Sequence, residues 1–317
     1  MVFQHRLGGG LKMSREAQNK SLESVGISKH KKLLVCNFCK SQNVVKKGFR
    51  QTENREKIQR YLCRDCKRSF CIDEGFFRMR NSEDKITQAI DLYFSNLSSR
   101  KVRNHFRRHL PKNCSHVTIL DWCRRYVLKV HKFIDTLQPK LSGKIYADET
   151  EINCGGRNDI FWCDVDWDTR FINATLYTPH NQNVEDATEF LKRISKNGLP
   201  KYIQTDAGMF YPSAFQKLFY SNKLKGLKVE HRVINTSKTG KYNVRIESVF
   251  MKVKDRVDDF RGLKALWSAP ILLQGIILQH NFIEAHTTTH KVPCELAGLK
   301  LDVGVNRWLG LIRLASQ

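Results

Sequence analysis

The sequence predicts a multidomain protein in which a small metal-stapled segment and an all-helical segment precede an α/β domain with a mixed sheet. Two Cys-x-x-Cys pairs lie near the N-terminus, three helical periodicities follow, and strand-like apolar runs alternate with helices after residue 140. We expect a mobile basic tail over 1–32, a metal-binding segment over 33–76, helices over 80–138, the α/β domain over 142–300 and a C-terminal extension over 301–317.

The charge of the chain is unevenly distributed. The net charge is +24; residues 1–140 hold 31 basic and 12 acidic side chains, whereas residues 141–317 hold 24 and 19. The excess of +19 in the first part, against +5 in the second, indicates a polyanion-binding region joined to a nearly balanced domain. We therefore expect double-stranded DNA as a partner.

The cysteine content and the apolar runs favour an intracellular protein. Ten cysteines are present, but the N-terminus lacks the basic, apolar and small-residue pattern of a secretory signal. The longest apolar run, 271–278, is too short to span a bilayer. The sequence thus predicts a cytoplasmic chain without membrane contact, whose thiols are reduced, buried or metal-bound.

The first motif with defined chemistry is a pair of cysteine knuckles. Its members are Cys36, Cys39, Cys63 and Cys66. Two knuckles separated by 23 residues can present four thiolates as a tetrahedron, which a closed structural Zn²⁺ site requires. Segments 43–48 and 59–62 are typical of the paired strands of a zinc ribbon. The alternative is two unliganded, reduced thiol motifs, and Cys71 is interpreted as a core residue.

Three amphipathic helices are predicted after the ribbon, beginning near Ser82, Ser98 and Ser115, with Ser82 as a cap. Short helices joined by short polar links are typical of a helix-turn-helix, whose last helix enters the major groove. Most basic residues there are expected to contact phosphate rather than bases. The predicted DNA-binding residues are Arg100, Lys101, Arg103, Arg107, Arg108, His116, Thr118, Arg124 and Arg125.

The element order of the C-terminal half predicts a ribonuclease-H-like fold with a mixed five-stranded sheet. We expect strands at Lys144–Ile152, Phe161–Trp167, Arg170–Thr178, 201–205 and Leu227–Ile234, and helices at Val184–Asn197, Ser213–Tyr220 and around Glu247. In that fold the first and fourth strands are neighbours, which brings Asp148 close to Asp206. The helix that carries Glu247 packs on the sheet.

Three carboxylates are therefore the predicted catalytic metal ligands: Asp148, Asp206 and Glu247. Phosphodiester cleavage with two Mg²⁺ or Mn²⁺ ions requires such hard oxygen ligands. For any one acid, the alternative is a solvated loop charge. Glu149 and Glu151 compete for the same role, but strand alternation sets Glu149 on the face opposite Asp148 and ranks it lower.

Other polar residues near these acids have weaker signals. Lys254 follows Glu247 by seven residues on the same helix face, where it could contact a phosphate; the alternative is a solvent-facing lysine. His231 is interpreted as structural. The spacing of His280, His286, His290 and Cys294 permits a metal site, but these residues straddle a helix end and a loop, which disfavours one.

With these residues in place, the chain resembles transposases of prokaryotic insertion sequences, in particular the insertion-sequence-six family and its archaeal-type branch. The resemblance extends from Cys36 to about Leu299. Besides the cysteine pairs it rests on Asp91-Leu92-Tyr93-Phe94, Arg100-Lys101-Val102, Ala147-Asp148-Glu149-Thr150, Thr205-Asp206, Arg245-Ile246-Glu247, Phe260-Arg261-Gly262-Leu263-Lys264, His280-Asn281-Phe282-Ile283 and Pro293-Cys294-Glu295-Leu296-Ala297-Gly298.

The resemblance implies a magnesium-dependent DDE transposase, homo-oligomeric and nucleoid-associated, with Asp148, Asp206 and Glu247 as the triad and Lys254 as the basic residue that follows it. Two departures stand out. The 40 residues between Asp206 and Glu247 exceed the usual spacing, and Tyr242-Asn243 replaces an expected pair of asparagines. The extra length falls in the polar loop Asn235–Lys241, which we interpret as an insertion.

The predicted function is binding of element ends followed by metal-dependent strand cleavage and strand transfer into target DNA. Two alternatives remain at this point. One is a transposase-derived DNA-binding protein that has lost catalysis, and the other is a structure-selective DNA nuclease on the same fold.

Overall fold

The computed structural model describes residues 34–52, 56–72, 74–110, 114–179, 182–234 and 243–317. These residues divide into an N-terminal unit that ends at Ile72 and a larger unit that continues to Gln317. The predicted tail at 1–32 and the predicted insertion at 235–241 lie outside the described residues. Among the helices described, none combines the length and the apolar character needed to cross a bilayer.

The N-terminal unit is a small three-stranded sheet. Its strands are β1 (Val44–Thr52), β2 (Glu56–Cys63) and β3 (Ser69–Cys71), in the order β1-β2-β3. The buried core consists of Cys36, Cys63 and Phe70, with Tyr61 stacked on Phe70 at 5.9 Å between ring centroids. So small a core buries little apolar surface, so the segment depends on a further source of stability.

Three helices begin the larger unit: α1 (Glu83–Phe94), α2 (Ser99–His109) and α3 (His116–Ile134). Each follows a serine cap whose side-chain oxygen accepts a backbone N–H of the first turn. The pairs are Ser82 with Lys85, Ser98 with Lys101, and Ser115 with Thr118. Such caps satisfy N–H groups that the helix leaves unpaired and contribute about 1 kcal/mol each. The three predicted helix starts are confirmed.

A mixed sheet of five strands forms the centre of the larger unit. Its strands are β4 (Lys144–Cys154), β5 (Arg157–Asp166), β6 (Thr175–Thr178), β7 (Tyr202–Thr205) and, after a hairpin of β8 (Tyr220–Ser221) and β9 (Gly226–Leu227), β10 (Glu230–Val233). The order is β10-β7-β4-β5-β6; β4, β5 and β6 are antiparallel, and β7 is parallel to both β4 and β10. The predicted ribonuclease-H-like fold is confirmed.

Two predicted strands are shorter than expected. The strand predicted from Arg170 begins only at Thr175. Before it, a side chain takes the place of the backbone hydrogen bonds between strands, because Asp164 Oδ1 accepts the N–H groups of Asn173 and Ala174 at 2.8 and 2.7 Å. The strand predicted over Leu227–Ile234 is divided, since Leu227 pairs back with Tyr220 and only β10 joins the main sheet.

Helices cover both faces of the sheet. They are α4 (Val184–Ile194), α5 (Phe210–Phe219), α6 (Val244–Asp259) and α7 (Ala269–Leu278). Ile145 and Ala147 of β4 are buried with α4 and α5, whereas Ile152 and Cys154 belong to the core formed with α6 and α7. Successive side chains of a strand point to opposite faces, so Asp148 belongs to the α6 face.

The three N-terminal helices share the core of the α6 face. A π-helical turn (Gln279–Ile283), α8 (Pro293–Leu296) and α9 (Arg307–Leu314) complete the chain. Tyr93 of α1 stacks on Phe260 with centroids 4.3 Å apart, and Phe94 lies 5.9 Å from Trp308 of α9. The boundary predicted between 138 and 142, and the one at 300, therefore both fall inside one compact unit.

Candidate active site

Two aspartates lie side by side because neighbouring parallel strands carry them. β4 pairs with β7 at Lys144 and Tyr202, an offset of 58 residues that the next two pairs keep. Asp148 and Asp206 have the same offset, and Asp206 directly follows the last residue of β7. The sheet register thus brings the two predicted ligands together at the end of β7.

Asp148, Glu149 and Asp206 form a carboxylate cluster: one oxygen of each lies within 4.8 Å of the others. Backbone N–H groups fix two of them, because Glu149 N–H donates to Asp148 Oδ1 and Gly208 N–H donates to Asp206 Oδ1, both at 2.9 Å. A Cβ on Gly208 would lie 3.1 Å from Asp206 Oδ1 and 3.0 Å from Phe210 Cζ. Glycine is therefore what lets the chain turn tightly beneath Asp206.

The carboxylates of this cluster are held against their own repulsion. Burial raises the pKa of Asp148 to about 7, and the charges of Asp206 and Glu247 add to it. Burial also raises the pKa of Glu149 to about 8, assisted by the charges of Asp148 and Asp206 and opposed by a hydrogen bond from Tyr211. Hard oxygen ligands crowded in this way match a divalent cation such as Mg²⁺, whose charge would favour their ionised form.

Glu149 lies in the cluster although strand alternation ranks it lower as a ligand. The alternation itself holds: Glu149 points to the α5 face, where the fully buried Tyr211 hydroxyl donates to Glu149 Oε2 at 2.7 Å. The cluster still includes it because Asp206 lies beyond the end of β7, where side chains from both faces of β4 converge. The signal in the sequence was the unbroken acidic pair Asp148-Glu149; Tyr211 had no such signal.

Glu247 and Lys254 lie on α6, outside the carboxylate cluster. Glu247 is half-buried in the first turn, with its backbone N–H bonded to the Asn243 carbonyl at 3.1 Å, and its charge reaches Asp148. Lys254 is exposed two turns further along the helix. The structure thus brings two of the three predicted catalytic acids into contact range and sets the third beside them.

The histidines have structural contacts. His231 stacks on Phe215 at 3.9 Å between centroids, and its Nε2 lies 2.9 Å from Thr205 Oγ1. His280 is buried, and its Nε2 lies 2.9 Å from the Arg170 carbonyl. Among the described residues, the acidic and cysteine clusters are the groups of three or more potential ligands within metal-binding range, and neither includes a histidine.

The four predicted zinc ligands converge in the N-terminal unit. All four sulfur atoms lie within 4.8 Å of one another, with Cys36 and Cys66 3.6 Å apart and Cys39 and Cys63 3.5 Å apart. A tetrahedral Zn²⁺ with Zn–S bonds of about 2.3 Å sets its sulfurs about 3.8 Å apart, so the donors fit that ion. Cys71 lies at the end of β3, outside the cluster.

The predicted DNA-binding residues differ in how free they are. Five are exposed: Arg100, Lys101, Arg107, Arg108 and Arg125; four are half-buried: Arg103, His116, Thr118 and Arg124. Arg124 is the most engaged, since its Nε donates to Ser268 Oγ at 2.8 Å and its guanidinium lies 4.6 Å from the Trp267 ring centroid. These contacts tie α3 to the start of α7.

A protein-family model matches the part of the chain that contains the five-stranded sheet and the acid cluster. Residues 142–286 match the family model described as a DDE domain. This match supports a DDE transposase and a catalytic domain of the polynucleotidyl-transferase type. No curated protein matches the chain.

Several solved structures align with the chain at low identity. A chain of the simian T-cell lymphotropic virus intasome in complex with PP2A regulatory subunit B56 gamma is 14% identical, covering 66% of this chain and 74% of that one, with a TM-score of 0.38. The HTLV-2 integrase catalytic core domain in complex with magnesium aligns in two forms. The trimeric form is 18% identical, covering 50% of this chain and 97% of that one, with a TM-score of 0.36. The dimeric form is 17% identical, covering 51% of this chain and 98% of that one, with a TM-score of 0.35. The DDE-domain match and the strand order, rather than these alignments, support a DDE catalytic domain.

Proposed function

We propose that this protein is a DNA transposase that binds the ends of its own element, cleaves a strand there in a metal-dependent reaction and joins the freed end to target DNA. The observation that carries the proposal is the coincidence of the DDE-domain match with the cluster of Asp148 and Asp206. The resemblance to the archaeal-type branch of the insertion-sequence-six family, and with it a prokaryotic, cytoplasmic and nucleoid-associated location, belongs to the same proposal.

In this proposal Asp148, Asp206 and Glu247 hold Mg²⁺ or Mn²⁺, and Glu149 supplies a further oxygen. When bound, two such cations activate the attacking oxygen and stabilise the leaving one. The protein's part is to fix the carboxylates, through the N–H groups of Glu149 and Gly208, before substrate arrives. Lys254, on the same face of α6, is proposed to contact a phosphate of the bound strand.

The N-terminal segments are proposed to deliver double-stranded DNA. The zinc ribbon and α2 and α3 contain much of the excess positive charge, and such charge supplies the sequence-independent part of DNA affinity. Exposed arginines of α2 and α3 are expected to contact phosphates, with base reading at the start of α3. A homo-oligomer is expected because two element ends must be held together.

The test is strand transfer of labelled element-end DNA into a plasmid, with Mg²⁺ or Mn²⁺, by the wild type, Asp148→Asn and Asp206→Asn. Glu151→Gln is the matched control, because Glu151 lies on the same strand, exposed and outside the cluster. We expect metal-dependent joining by the wild type and the control, and a loss of at least a thousandfold in both aspartate variants. Tight DNA binding without joining in any protein would favour the DNA-binding descendant. Cleavage without joining would favour the nuclease.

A further inference from the structure

A row of aromatic rings and arginines lies next to the acid cluster on the α6 face of the sheet. Tyr146 precedes Asp148 by two residues in β4 and shares its face. Trp167, just after β5, stacks on Tyr146 with centroids 4.8 Å apart. Arg245, two residues before Glu247, has its Cζ 4.1 Å from the Trp167 ring centroid. The row is therefore attached to β4 and α6, the elements that carry Asp148 and Glu247.

Arg170 completes this row and is buried without a carboxylate in ion-pair contact among the described residues, although the charges of Asp168 and Asp166 favour its ionised form. Its side chain is part of a residue only 8% exposed, and its Cζ lies 5.6 Å from the Trp167 ring centroid. Its Nε and Nη1 have no hydrogen-bond partner, and no carboxylate forms an ion pair with Arg170 or Arg245 within the described ranges. Burying an unpaired guanidinium costs several kcal/mol, which an anionic ligand would recover.

The backbone of Arg170 is held in place by the π-helical turn. Arg170 has φ 63, the left-handed region, which costs a non-glycine residue about 1 kcal/mol. His280 Nε2–H donates to the Arg170 carbonyl at 2.9 Å, and the Asn281 amide exchanges two hydrogen bonds with the backbone of Ile172, at 2.9 and 2.8 Å. The fold thus stabilises an unfavourable conformation that keeps this arginine beside Trp167.

The acids near Arg170 already have other partners. Asp166 accepts hydrogen bonds from Ser142 and Thr169, and Asp168 pairs with Lys144 at 3.1 Å. On the other side, burial and the positive charges of Lys252, Arg170 and Arg245 lower the pKa of His286. Lys252 itself has a pKa lowered by burial, and Glu284, whose charge opposes that shift, is engaged by Arg256 at 2.7 Å. Lys252, Arg170 and Arg245 thus bring three positive charges together, and Asp166 and Asp168 offset the charge of Arg170 only in part, since its pKa is lowered by burial and by Arg245.

We propose that Arg170 and Arg245 bind a backbone phosphate of the DNA strand that reaches the acid cluster, with Trp167 and Tyr146 forming the floor of this phosphate site. The inference rests on the proposed action on DNA and deepens it. Guanidinium groups suit the task because their N–H donors match phosphate oxygens two at a time, and stacking on a ring keeps them oriented.

Arg232 provides a matched comparison in the same region. Its Cζ lies 3.6 Å from the Tyr202 ring centroid, as close to an aromatic ring as Arg245. It differs in being paired, because its Nε and Nη2 donate to both oxygens of Glu230 at 2.8 and 2.9 Å. Its charge is already neutralised, so its removal is expected to change phosphate binding little.

The test is fluorescence anisotropy of a labelled DNA duplex over a series of KCl concentrations, without added divalent cations, for the wild type, Arg245→Gln, Arg170→Lys and Arg232→Gln. We expect Arg245→Gln to weaken binding roughly tenfold at about 0.1 M salt and to reduce the slope of log K against log salt by about one. Arg170→Lys should act in the same direction. Arg232→Gln should keep the wild-type affinity and slope.

Two outcomes would overturn the phosphate site. One is a wild-type affinity and salt slope in Arg245→Gln, a half-buried position whose variant is expected to fold, as its thermal melting would verify. The other is that inorganic phosphate raises the melting temperature of the wild type but not of Arg245→Gln, while the two proteins bind DNA with equal affinity. Failure of the proposed function gives a different pattern, in which Arg245→Gln has a reduced salt slope but the wild type shows no metal-dependent joining.

Discussion

At the residue scale, the carboxylates of the acid cluster have no ion pair with a basic side chain among the described residues. One carboxylate oxygen each of Asp148, Glu149 and Asp206 lies within 4.8 Å of the others. These carboxylates accept hydrogen bonds from N–H groups and from one hydroxyl group rather than from basic side chains. Their repulsion opposes folding in the absence of metal and is relieved when metal binds. The same side chains therefore lower the stability of the metal-free protein and supply the affinity for the ion.

Replacing Glu149 with glutamine should separate these two effects. We expect Glu149→Gln to change the melting temperature of the metal-free protein little at pH 7, because a carboxyl group with a pKa of about 8 is mostly uncharged there, and to reduce the rise caused by Mn²⁺. Differential scanning calorimetry with and without Mn²⁺ measures both changes. Glu151→Gln is the control from the same strand; equal behaviour of the two variants would exclude Glu149 from the metal centre.

A buried histidine makes stability depend on pH. Burial lowers the pKa of His280 from 6.5 to about 4, so the unfolded chain binds this proton at higher pH than the folded one. The stabilisation is complete above pH 6.5 and is lost as the pH falls towards 4, a change of roughly 3 kcal/mol. Urea unfolding at pH 7 and pH 5 should therefore show a larger loss in the wild type than in His280→Gln.

Exposed His290 supplies the comparison for this measurement. His290→Gln removes an exposed histidine of the same C-terminal segment and leaves His280 in place. Other titrating groups contribute equally to all three proteins, so the difference between the two variants isolates His280. A His280→Gln protein with the full acid-induced loss would contradict the assignment.

At the element scale, local signals located the three N-terminal helix starts, whereas the start of one strand depended on distant contacts. Ser82, Ser98 and Ser115 are caps whose effect is contained within one helical turn, so the sequence locates them. The loss of the strand before Thr175 depends instead on Asp164 and on Asn281, which lies more than a hundred residues away in the chain. No periodicity in 170–178 contains that information.

The site follows the same rule. The register that joins Asp148 to Asp206 follows from the predicted strand order, and the four cysteines follow from their spacing. The roles of Tyr211 and Arg170 depend on contacts between segments that are distant in sequence. Tertiary packing therefore supplied what the motifs could not.

Close packing between α1 and α7 gives a test at this scale. A Cβ on Gly275 would lie 2.1 Å from Phe94 Cζ, with two further ring atoms within 2.9 Å. Gly275→Ala should destabilise the protein by about 2 kcal/mol or more, although alanine favours helix by about 1 kcal/mol. Urea unfolding measures it. Gly226→Ala is the control, because its nearest atom lies 3.8 Å away, and equal loss in both would contradict the packing argument.

At the scale of the whole molecule, the two compact units are stabilised differently. The larger unit has an extended apolar core, whereas the N-terminal unit buries little beyond Cys36, Cys63 and Phe70. Binding of a metal ion by its four cysteine sulfurs would supply the stability that a larger core supplies elsewhere. Loss of metal should therefore unfold one unit and leave the other folded.

Chelation of zinc tests this division. We expect one Zn²⁺ per chain, released by Cys36→Ser but retained by Cys71→Ser, because Cys71 lies outside the sulfur cluster. After chelation, amide hydrogen exchange should become fast in β1, β2 and β3 and stay slow in β4 and β5. Slow exchange throughout, or loss of protection in the large sheet, would contradict the independence of the two cores.

The stacking of Tyr93 on Phe260, and of Phe94 on Trp308, has a consequence for how such proteins diversify. In the proposed transposase, replacing residues 80–138 alone would not transfer another DNA specificity, because the rings of the replacement would not match Phe260 and Trp308. New specificity of the proposed transposase would instead accumulate by single substitutions on the outward sides of α2 and α3, while the inward sides of α1 and α3 stay matched to α7 and α9. Recognition and catalysis would then be inherited as one piece.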